Sequence, residues 1–511
     1  MSNIKVIKPS FEIIEPTTNP VKKVARMTRI CYRSEAAASD EADAKLISNC
    51  IKRTHRSVLE HGFVSAIFSG APIDPKLLEP FGANLTDKAI KITSDYIWNN
   101  FDCPDRRKYM EVYGDNEIYK YIDGANSTQK TYDVYAANFH TWLRILDDFL
   151  SASIQKKYLL GAVFMMALIS RMRQTFPEVF GGLYDNINEA LANIKPDSAF
   201  YKICFGEKEK DGTARVVSIQ AFEKFFKLFD MVVAPSCGKM TLSVIMRTDR
   251  AVTHELVRHR RGVAYSQESQ RYVNYQNKGY EVVWPQMDPV KYKNAEFASV
   301  PVIENGSTES VVKKLHLSED GCIPEGSSAY NTWAAAMELA VNHYEMMRST
   351  EIIIPSAEEG KDDSVITIPP EVSRTVLPNS FATTIGVTWT PHTFTNLMYR
   401  RLASDAQYPI RSLLSKVLID GLKNKHPFFE NFPPALIRRW IDLVQKSGIL
   451  TDGDLATSLI DYQNKRQENI EKHIREAIEK AKAKFEADEK ARKERMEKQK
   501  SAAAKPSEEN K

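Results

Sequence analysis

The chain lacks any long apolar run. Its richest stretch, Tyr158 to Ile169, stops at Ser170-Arg171, short of the roughly 20 residues a membrane-spanning helix needs. Met1 to Ser10 mixes Lys5, Lys8 and Pro9 with isolated apolar residues, so no secretory leader is expected. Cysteine is sparse. Cys31, Cys50, Cys103, Cys204, Cys237 and Cys322 lie far apart with no C-x-x-C pair, which argues against a zinc ribbon, a dithiol redox unit or a dense disulfide framework. A reducing cytoplasm is the expected compartment. No G-x-G-x-x-G occurs, so a dinucleotide would have to be held without a Rossmann turn. Charge of one sign is not in excess either: the formal net charge of +4 is small for 511 residues, which weakens generic polyanion binding.

What is present is local. Arg258-His259-Arg260-Arg261-Gly262-Val263-Ala264-Tyr265-Ser266-Gln267-Glu268-Ser269-Gln270-Arg271-Tyr272 sets five cations or potential cations beside hydroxyl, amide and carboxylate groups. Arginine's planar fork suits bidentate contact with a phosphate, and Ser269 adds a hydroxyl donor. A phosphorylated ligand is the first expectation. A basic patch tracking a nucleic-acid backbone and a solvated helix face stay open beside it. Upstream, Thr253-His254-Glu255-Leu256-Val257-Arg258 has an arginine where a zinc-protease helix needs its second histidine, so a metal site there fails on spacing.

At this length two or more compact units, or one heavily elaborated domain, are expected. Glu41 to Thr54 has helical spacing and Phe63 to Phe68 reads as a strand. Pro75 to Pro235 is dominated by helical patterns such as Tyr132 to Leu150 and Tyr158 to Gln174, and reads as an inserted helical unit. A strand pattern resumes at Met240 to Met246, followed by a helix from Asp249 to Arg260. Pro285 to Gly326 reads as an irregular excursion. Helices are expected again at Ala329 to Arg348 and Phe394 to Lys423. Tyr462 to Met496 is highly charged and carries a narrow stripe of Ile470, Ile474, Ile478 and Phe485, which fits a solvated amphipathic helix better than a coiled coil. Ser501 to Lys511 should be disordered.

Four separated segments together resemble the flavin-dependent thymidylate synthase family. Arg258-His259-Arg260 followed by Ser269 resembles its signature of Arg-His-Arg, seven residues, then Ser. Eight residues intervene here. The triplet is set on Arg258 to Arg260 because His254-Glu255-Leu256-Val257 then fits without a gap; His259-Arg260-Arg261 is the alternative. His55-Arg56-Ser57-Val58-Leu59-Glu60-His61 resembles the family's His-x-Ser/Thr-x-x-Glu-His element. Arg374-Thr375-Val376-Leu377-Pro378 resembles Arg-x-x-Leu-Pro, and Asn396 through Arg401 to Ala406-Gln407-Tyr408-Pro409-Ile410-Arg411 resembles the C-terminal helix. All four occur in the family order.

The resemblance implies an α+β fold: a mixed sheet flanked by helices over residues 1–74 and 236–450, with a large mainly helical insertion at 75–235. A charged C-terminal helical extension at 451–496 and a disordered tail at 497–511 complete the expected division. It implies reductive methylation of dUMP to dTMP, with methylenetetrahydrofolate as carbon donor, FAD as hydride carrier and NADPH as reductant, in a homotetramer with shared active sites. Membrane and nucleic-acid partners are not expected. Arg401 matches the arginine that stabilises the ionised pyrimidine, its bland alternative being an i+4 pair with Asp405. Nucleotide contacts carried over are Glu255, Arg258, Gln267, Glu268, Ser269, Gln270, Arg271, Arg374 and Arg401. Flavin contacts are His55, Ser57, Arg258, His259, Arg260, Gln267, His392 and Asn396. Where many relatives have Asn-x-Arg, this chain has Thr390-Pro391-His392, which changes the donor inventory beside the flavin. Two other functions remain open: a flavoenzyme that hydroxymethylates a pyrimidine nucleotide or acts on dCMP, and a non-catalytic nucleotide- or nucleic-acid-binding protein on the same fold.

Overall fold

The computed structural model describes residues 4–15, 19–69, 111–113, 132–144, 146, 168–182, 232–235, 240–260, 262–293, 296–298, 312–314, 317–358 and 361–503. These form a mixed α+β chain that divides into two compact units, 1–429 and 430–511.

The first unit is organised by a four-stranded antiparallel sheet. Its order is β2 (Ser10–Ile14), β7 (Leu242–Asp249), β14 (Ala382–Trp389), β8 (Val263–Gln267). Trp389 lies opposite Leu242 on one side and Val263 on the other, so the end of β14 fixes the start of both neighbours. Helix α1 (Pro20–Ile30) covers this sheet. Asn19 caps it by accepting from the Lys22 amide, and Pro20 opens the first turn where its missing N–H costs nothing. Met27 and Ile30 are buried with Ile14 and pack on Ile245, each such side chain contributing about 1.5–3 kcal/mol on burial. Helix α2 (Asp40–Lys52) is tied to α1 by the largely buried Arg29–Asp43 ion pair, 2.6 Å.

A second antiparallel sheet has the order β4 (Glu111–Tyr113), β5 (Tyr132–Asn138), β3 (Phe63–Ser69), β6 (Val232–Pro235). Here the structure departs from the expected helix over Tyr132 to Leu150: Tyr132 to Asn138 is a strand, paired along its length with β3. Asn138 then caps a helix through residues 139–144 by accepting from the Thr141 amide at 2.8 Å. The aromatic and apolar residues of Tyr132-Asp133-Val134-Tyr135-Ala136 serve either period, and pairing across the sheet decides between them. Residues 168–175 are helical; most of the segment 75–235, including the rest of Tyr158 to Gln174, lies outside the described residues. β1 (Ile4–Ile7) runs parallel to β9 (Tyr280–Val283). Two further hairpins pair Glu296–Ala298 with Val312–Lys314 and Glu351–Ile354 with Ser364–Thr367.

Helix α3 (Arg250–Leu256) follows β7 directly, capped by Asp249, whose carboxylate accepts from the Val252 amide. It ends four residues before the expected Arg260. Helix α4 is Ser328–Ser349. The expected helix from Phe394 to Lys423 is two, α5 (Pro391–Arg401) and α6 (Tyr408–Lys423), because Pro409 suits the first turn of a helix and cannot sit in the middle of one.

In the second unit, α7 (Pro434–Lys446) buries Ile437, Trp440, Ile441 and Val444 and packs on α8 (Gly453–Ala503). The helix expected over Tyr462 to Met496 therefore extends further at both ends, and Ser501 to Ala503 are helical; 504–511 lie outside the described residues. Ile474 and Phe485 remain 53% and 70% exposed, so nothing among the described residues covers the stripe.

Gly386, at the centre of β14, has no room for a side chain: an added Cβ would lie 2.4 Å from Met27 Sδ and 2.8 Å from Ile30 Cδ1. Gly386→Ala should lower stability by about 1–3 kcal/mol, read as a fall in the urea midpoint at constant m value. An unchanged midpoint would mean that α1 moves off the sheet without cost.

Candidate active site

The site is built where the turn after α3 meets the end of α5. Arg401 Nη1 pairs with Glu255 Oε2 at 2.6 Å, Nη2 donates to the Glu255 carbonyl at 2.9 Å, and Nε donates to His259 Nε2 at 3.2 Å. Asp405, the i+4 alternative, is not its ion-pair partner. The guanidinium is held on three sides, with 15% of the side chain exposed. Because Nε2 of His259 accepts, its proton sits on Nδ1 when the ring is neutral. Burial, then the charges of Arg401 and Arg400, lower the His259 pKa against the opposing pull of Glu255, which favours that neutral form.

Tyr265 sets the turn. From β8 its phenol reaches the carbonyls of Leu256 at 2.5 Å and His259 at 2.8 Å. Burial raises its pKa, so it stays a donor. The turn so fixed carries Arg258 and His259 into a cavity of about 450 Å³ lined by both of them with Asn396, Arg400, Arg401, Asp405 and Ala406. Four residues expected from sequence thus line one cavity: Arg258, His259, Asn396 and Arg401. Glu255 borders it through Arg401. His392 lies one turn before Asn396 on α5 and is exposed, as is Arg260. Arg400 and Asp405 were not among the expected residues. The helical spacing of Asn396 and Arg400, four apart, was the available signal for Arg400; Asp405 lies beyond the helix end, where no periodicity points to it.

A second group gathers near Glu371. Arg271 Nε lies 3.3 Å from Glu371 Oε2, and Arg374 Nε donates to the Glu371 carbonyl at 3.2 Å. Ser269 Oγ accepts from the Arg271 amide, and its own amide donates to the Cys31 carbonyl. These residues are not in the lining of the first cavity. Helix α3 connects the two groups: Arg250 at its start is close enough to Arg374 to feel its charge, and Glu255 near its end holds Arg401. The rise between residues 250 and 255 is about 8 Å.

Two expected ligand residues are committed elsewhere. Glu268 has a fully buried side chain whose carboxylate accepts from Arg247 Nη1 at 2.7 Å and from the Tyr275 phenol at 2.8 Å. A buried carboxylate with both oxygens engaged is a structural one, so in this chain Glu268 ties β7 to the segment after β8 rather than facing a ligand. Gln267 Nε2 donates to Thr253 Oγ1 and Thr383 Oγ1, joining α3 to β14. Gln270 is buried at 7% exposure.

His55 and Ser57 are exposed on a 3-10 turn, Arg56–His61, that packs against β8 and so lies beside the signature segment. Its last residue, His61, is interior. Nδ1 contacts Thr388 Oγ1 at 2.9 Å and Nε2 contacts Ser266 Oγ at 3.0 Å, with Ser243 Oγ extending the chain of hydroxyls. Burial first, then the charge of Lys23, pushes its pKa down to about 3. His426 is lowered to about 4 by the same two causes. The described thiols are poor nucleophiles: burial raises Cys31 and Cys50, and pushes Cys322 up to about 11. Among the described residues no cluster of His, Cys, Asp and Glu has the makings of a metal site, and no helix is long and apolar enough to cross a membrane.

Fold and site define an α+β protein with a cationic, donor-rich cleft suited to an anionic, acceptor-rich ligand. Residues 238–428 match the family model described as Thymidylate synthase complementing protein. A curated relative, the flavin-dependent thymidylate synthase of Clostridium tetani (strain Massachusetts / E88), is 27% identical over 188 residues, which is 37% of this chain. The match spans 60% of that relative's length. Two solved structures of the UMP/dUMP methylase PolB from Streptomyces cacaoi are also similar. The one bound with 5-Br dUMP is 17% identical with a TM-score of 0.24, covering 38% of this chain and 71% of its own. The one bound with 5-Br UMP is 14% identical with a TM-score of 0.23, covering 41% and 76%.

The two buried histidines give the protein an acid-sensitive core. Unfolded, each takes a proton near pH 6.5; folded, His426 resists until about 4 and His61 until about 3. The unfolded state therefore binds more protons in between, and their contribution is complete above pH 6.5 and drains as pH falls. Urea unfolding at pH 7.5, 6.5, 5.5 and 5 should give falling stability, and His61→Gln should make that slope shallower. The same slope in the variant would show that His61 is not buried neutral.

Proposed function

We propose that the chain is a flavin-dependent thymidylate synthase, methylating dUMP to dTMP with methylenetetrahydrofolate as carbon donor and NADPH as reductant. The observation that carries the reading is the convergence of Arg258, His259, Asn396 and Arg401, from segments more than 130 residues apart, on one cavity. The family match over residues 238–428 and the named activity of the Clostridium tetani relative support it.

The chemical difficulty is to make uracil C5 nucleophilic. The described thiols are held protonated, and none of the six cysteines has the Pro-Cys-His/Gln setting of the cysteine-dependent synthases. Electrostatics is the remaining route. Arg401 supplies a cation whose direction is fixed before the substrate arrives, so that charge developing on the pyrimidine N3–O4 edge meets an organised dipole. Glu255 and His259 are the positioning residues for that guanidinium. Arg271, Arg374 and Ser269 are assigned to the 5′-phosphate.

The donor set fits FAD: Arg258, Arg260 and His392 supply cationic or N–H groups for its pyrophosphate, and His259 Nδ1–H and Asn396 supply donors for the ring, with His55 and Ser57 adding contacts from the neighbouring turn. When bound, FAD supplies the hydride that reduces the transferred one-carbon unit. The residues assigned to the phosphate, Arg271 and Arg374 at Glu371, do not line the cavity at Arg401, which supports a homotetramer that completes each site across subunits. Residues 75–235 are assigned as an insertion into the catalytic core, and the cytoplasm as the compartment.

Tritium release from 5-labelled dUMP, with FAD, NADPH and methylenetetrahydrofolate, tests the assignment. Arg401→Ala should lower turnover by about 10²–10³-fold while the far-ultraviolet spectrum and melting temperature hold. Equal rates would remove Arg401 from the mechanism. Mass analysis of the product with dUMP and with dCMP separates methylation from hydroxymethylation and from use of the other base; a colourless protein that releases no tritium would favour nucleotide binding without catalysis.

A further inference from the structure

Among the described residues, positive charge near Glu371 exceeds the negative charge paired with it. Arg271 and Arg374 both contact Glu371, and Arg250 is close enough to Arg374 to feel its charge. Arg250 donates through Nη2 to the backbone carbonyl of Glu268 at 3.1 Å, not to its carboxylate. That carboxylate is committed to Arg247 and Tyr275. Burial lowers the Arg250 pKa against the raising influence of Tyr275 and Glu268, and the neighbouring charge of Arg374 adds the smallest contribution, a further lowering. The remaining carboxylate, Glu371, reaches Arg271 through one oxygen at 3.3 Å, with both side chains about half exposed, 49% and 54%. An exposed contact of that kind adds little stability.

Two donors beside this charge have nothing to bind. Arg250 Nε and Gln270 Nε2 are buried with no hydrogen-bond partner among the described residues, and Gln270 as a whole is only 7% exposed. Leaving a buried donor unsatisfied is costly, and the cost is recovered when a ligand supplies the acceptor. Surplus cations, one loosely held carboxylate, and unsatisfied donors on Arg250 itself and on Gln270 beside Arg271 describe a site suited to a compact multivalent anion.

We propose that Arg250 is a third guanidinium of the phosphate site and that Glu371 is a displaceable counter-ion, its carboxylate standing against Arg271 until a phosphate dianion replaces it. The identity of the phosphoryl carrier as a nucleotide rests on the function proposed above; the displacement itself does not. A phosphate oxygen pair matches a guanidinium fork better than the single oxygen Glu371 offers, so exchange favours the ligand. Once displaced, Glu371 remains tethered close to the bound dianion and repels it. It thereby holds affinity below what three arginines alone would give and speeds release of a phosphorylated product.

The test is calorimetric titration of the full-length chain with inorganic phosphate, dUMP and deoxyuridine, for wild type, Glu371→Gln, Arg250→Gln and Arg250→Lys. Glu371→Gln should tighten phosphate and dUMP by about twofold to fivefold, the size of one exposed charge contact. Arg250→Gln should weaken both by about tenfold or more, as loss of a charge-assisted hydrogen bond does, with partial recovery in Arg250→Lys. Deoxyuridine, which lacks the phosphate, should bind all four proteins alike. Weaker or unchanged phosphate binding in Glu371→Gln overturns the proposal, as does a wild-type protein that binds neither phosphate nor dUMP. If Arg250→Gln does not fold, the exposed Glu371 variant decides alone. A shift seen with inorganic phosphate, combined with dUMP binding no better than phosphate, leaves the displaceable counter-ion standing and removes the nucleotide reading.

Discussion

The contact on which the site depends is the one between Glu255 and Arg401. It joins the end of a seven-residue helix that leaves the central sheet to the last residue of another helix 146 positions later. A lone arginine in a cleft has several rotatable bonds and would sweep a wide volume. This one is caught by a carboxylate, a carbonyl and an imidazole nitrogen, so the entropy of ordering it is already spent in folding. His259 is part of that arrangement: its Nε2 must stay unprotonated to accept from Arg401, and burial first, then the surrounding positive charge, favours that state. Tyr265 then closes the loop of dependence, because its phenol holds the backbone from which Glu255, Arg258 and His259 all project.

The interior and the cleft use the same residue types for opposite ends. Arg247 lies between Glu268 and Glu281, and with Arg33 beside Glu268 and Lys5 beside Glu281 these charges are compensated within the protein. Arg401 is also paired, but at the wall of a cavity; Arg271 and Arg374 are exposed and only lightly held. Burial separates them. A buried ion must find every partner inside the fold, since removing one leaves an uncompensated charge, whereas a half-exposed one can exchange its partner for a ligand.

Much of this was legible in the sequence, and the failures have physical causes. The signature segment, α5 and the turn at His55 to His61 were found because each carries residue types that a plain helix or strand has no use for. Glu268 was read as a nucleotide contact for the same reason: within a run of polar residues, sequence does not say which carboxylate turns inward, and here the buried partners Arg247 and Tyr275 make the choice. Tyr132 to Asn138 was read as helix because its apolar residues fit both periods; the competing fact, a partner strand at Phe63–Ser69, lies some 70 residues upstream. The split between α5 and α6 was written in Pro409, a local signal passed over in favour of the longer apolar periodicity on either side.

The division of labour among the cationic groups follows from what each can do. Three arginines set around one phosphate would bind it tightly and release it slowly, which raises affinity for substrate and product alike and does nothing for the chemical step. An internal carboxylate that competes for the same fork spends some of that uniform binding. Arg401, by contrast, is fastened by partners that no phosphate displaces, since Glu255 and His259 are placed by the backbone turn that Tyr265 holds. On the function proposed above, the charge that binds phosphate is exchangeable and the charge that faces the base is fastened, the two lying toward opposite ends of α3.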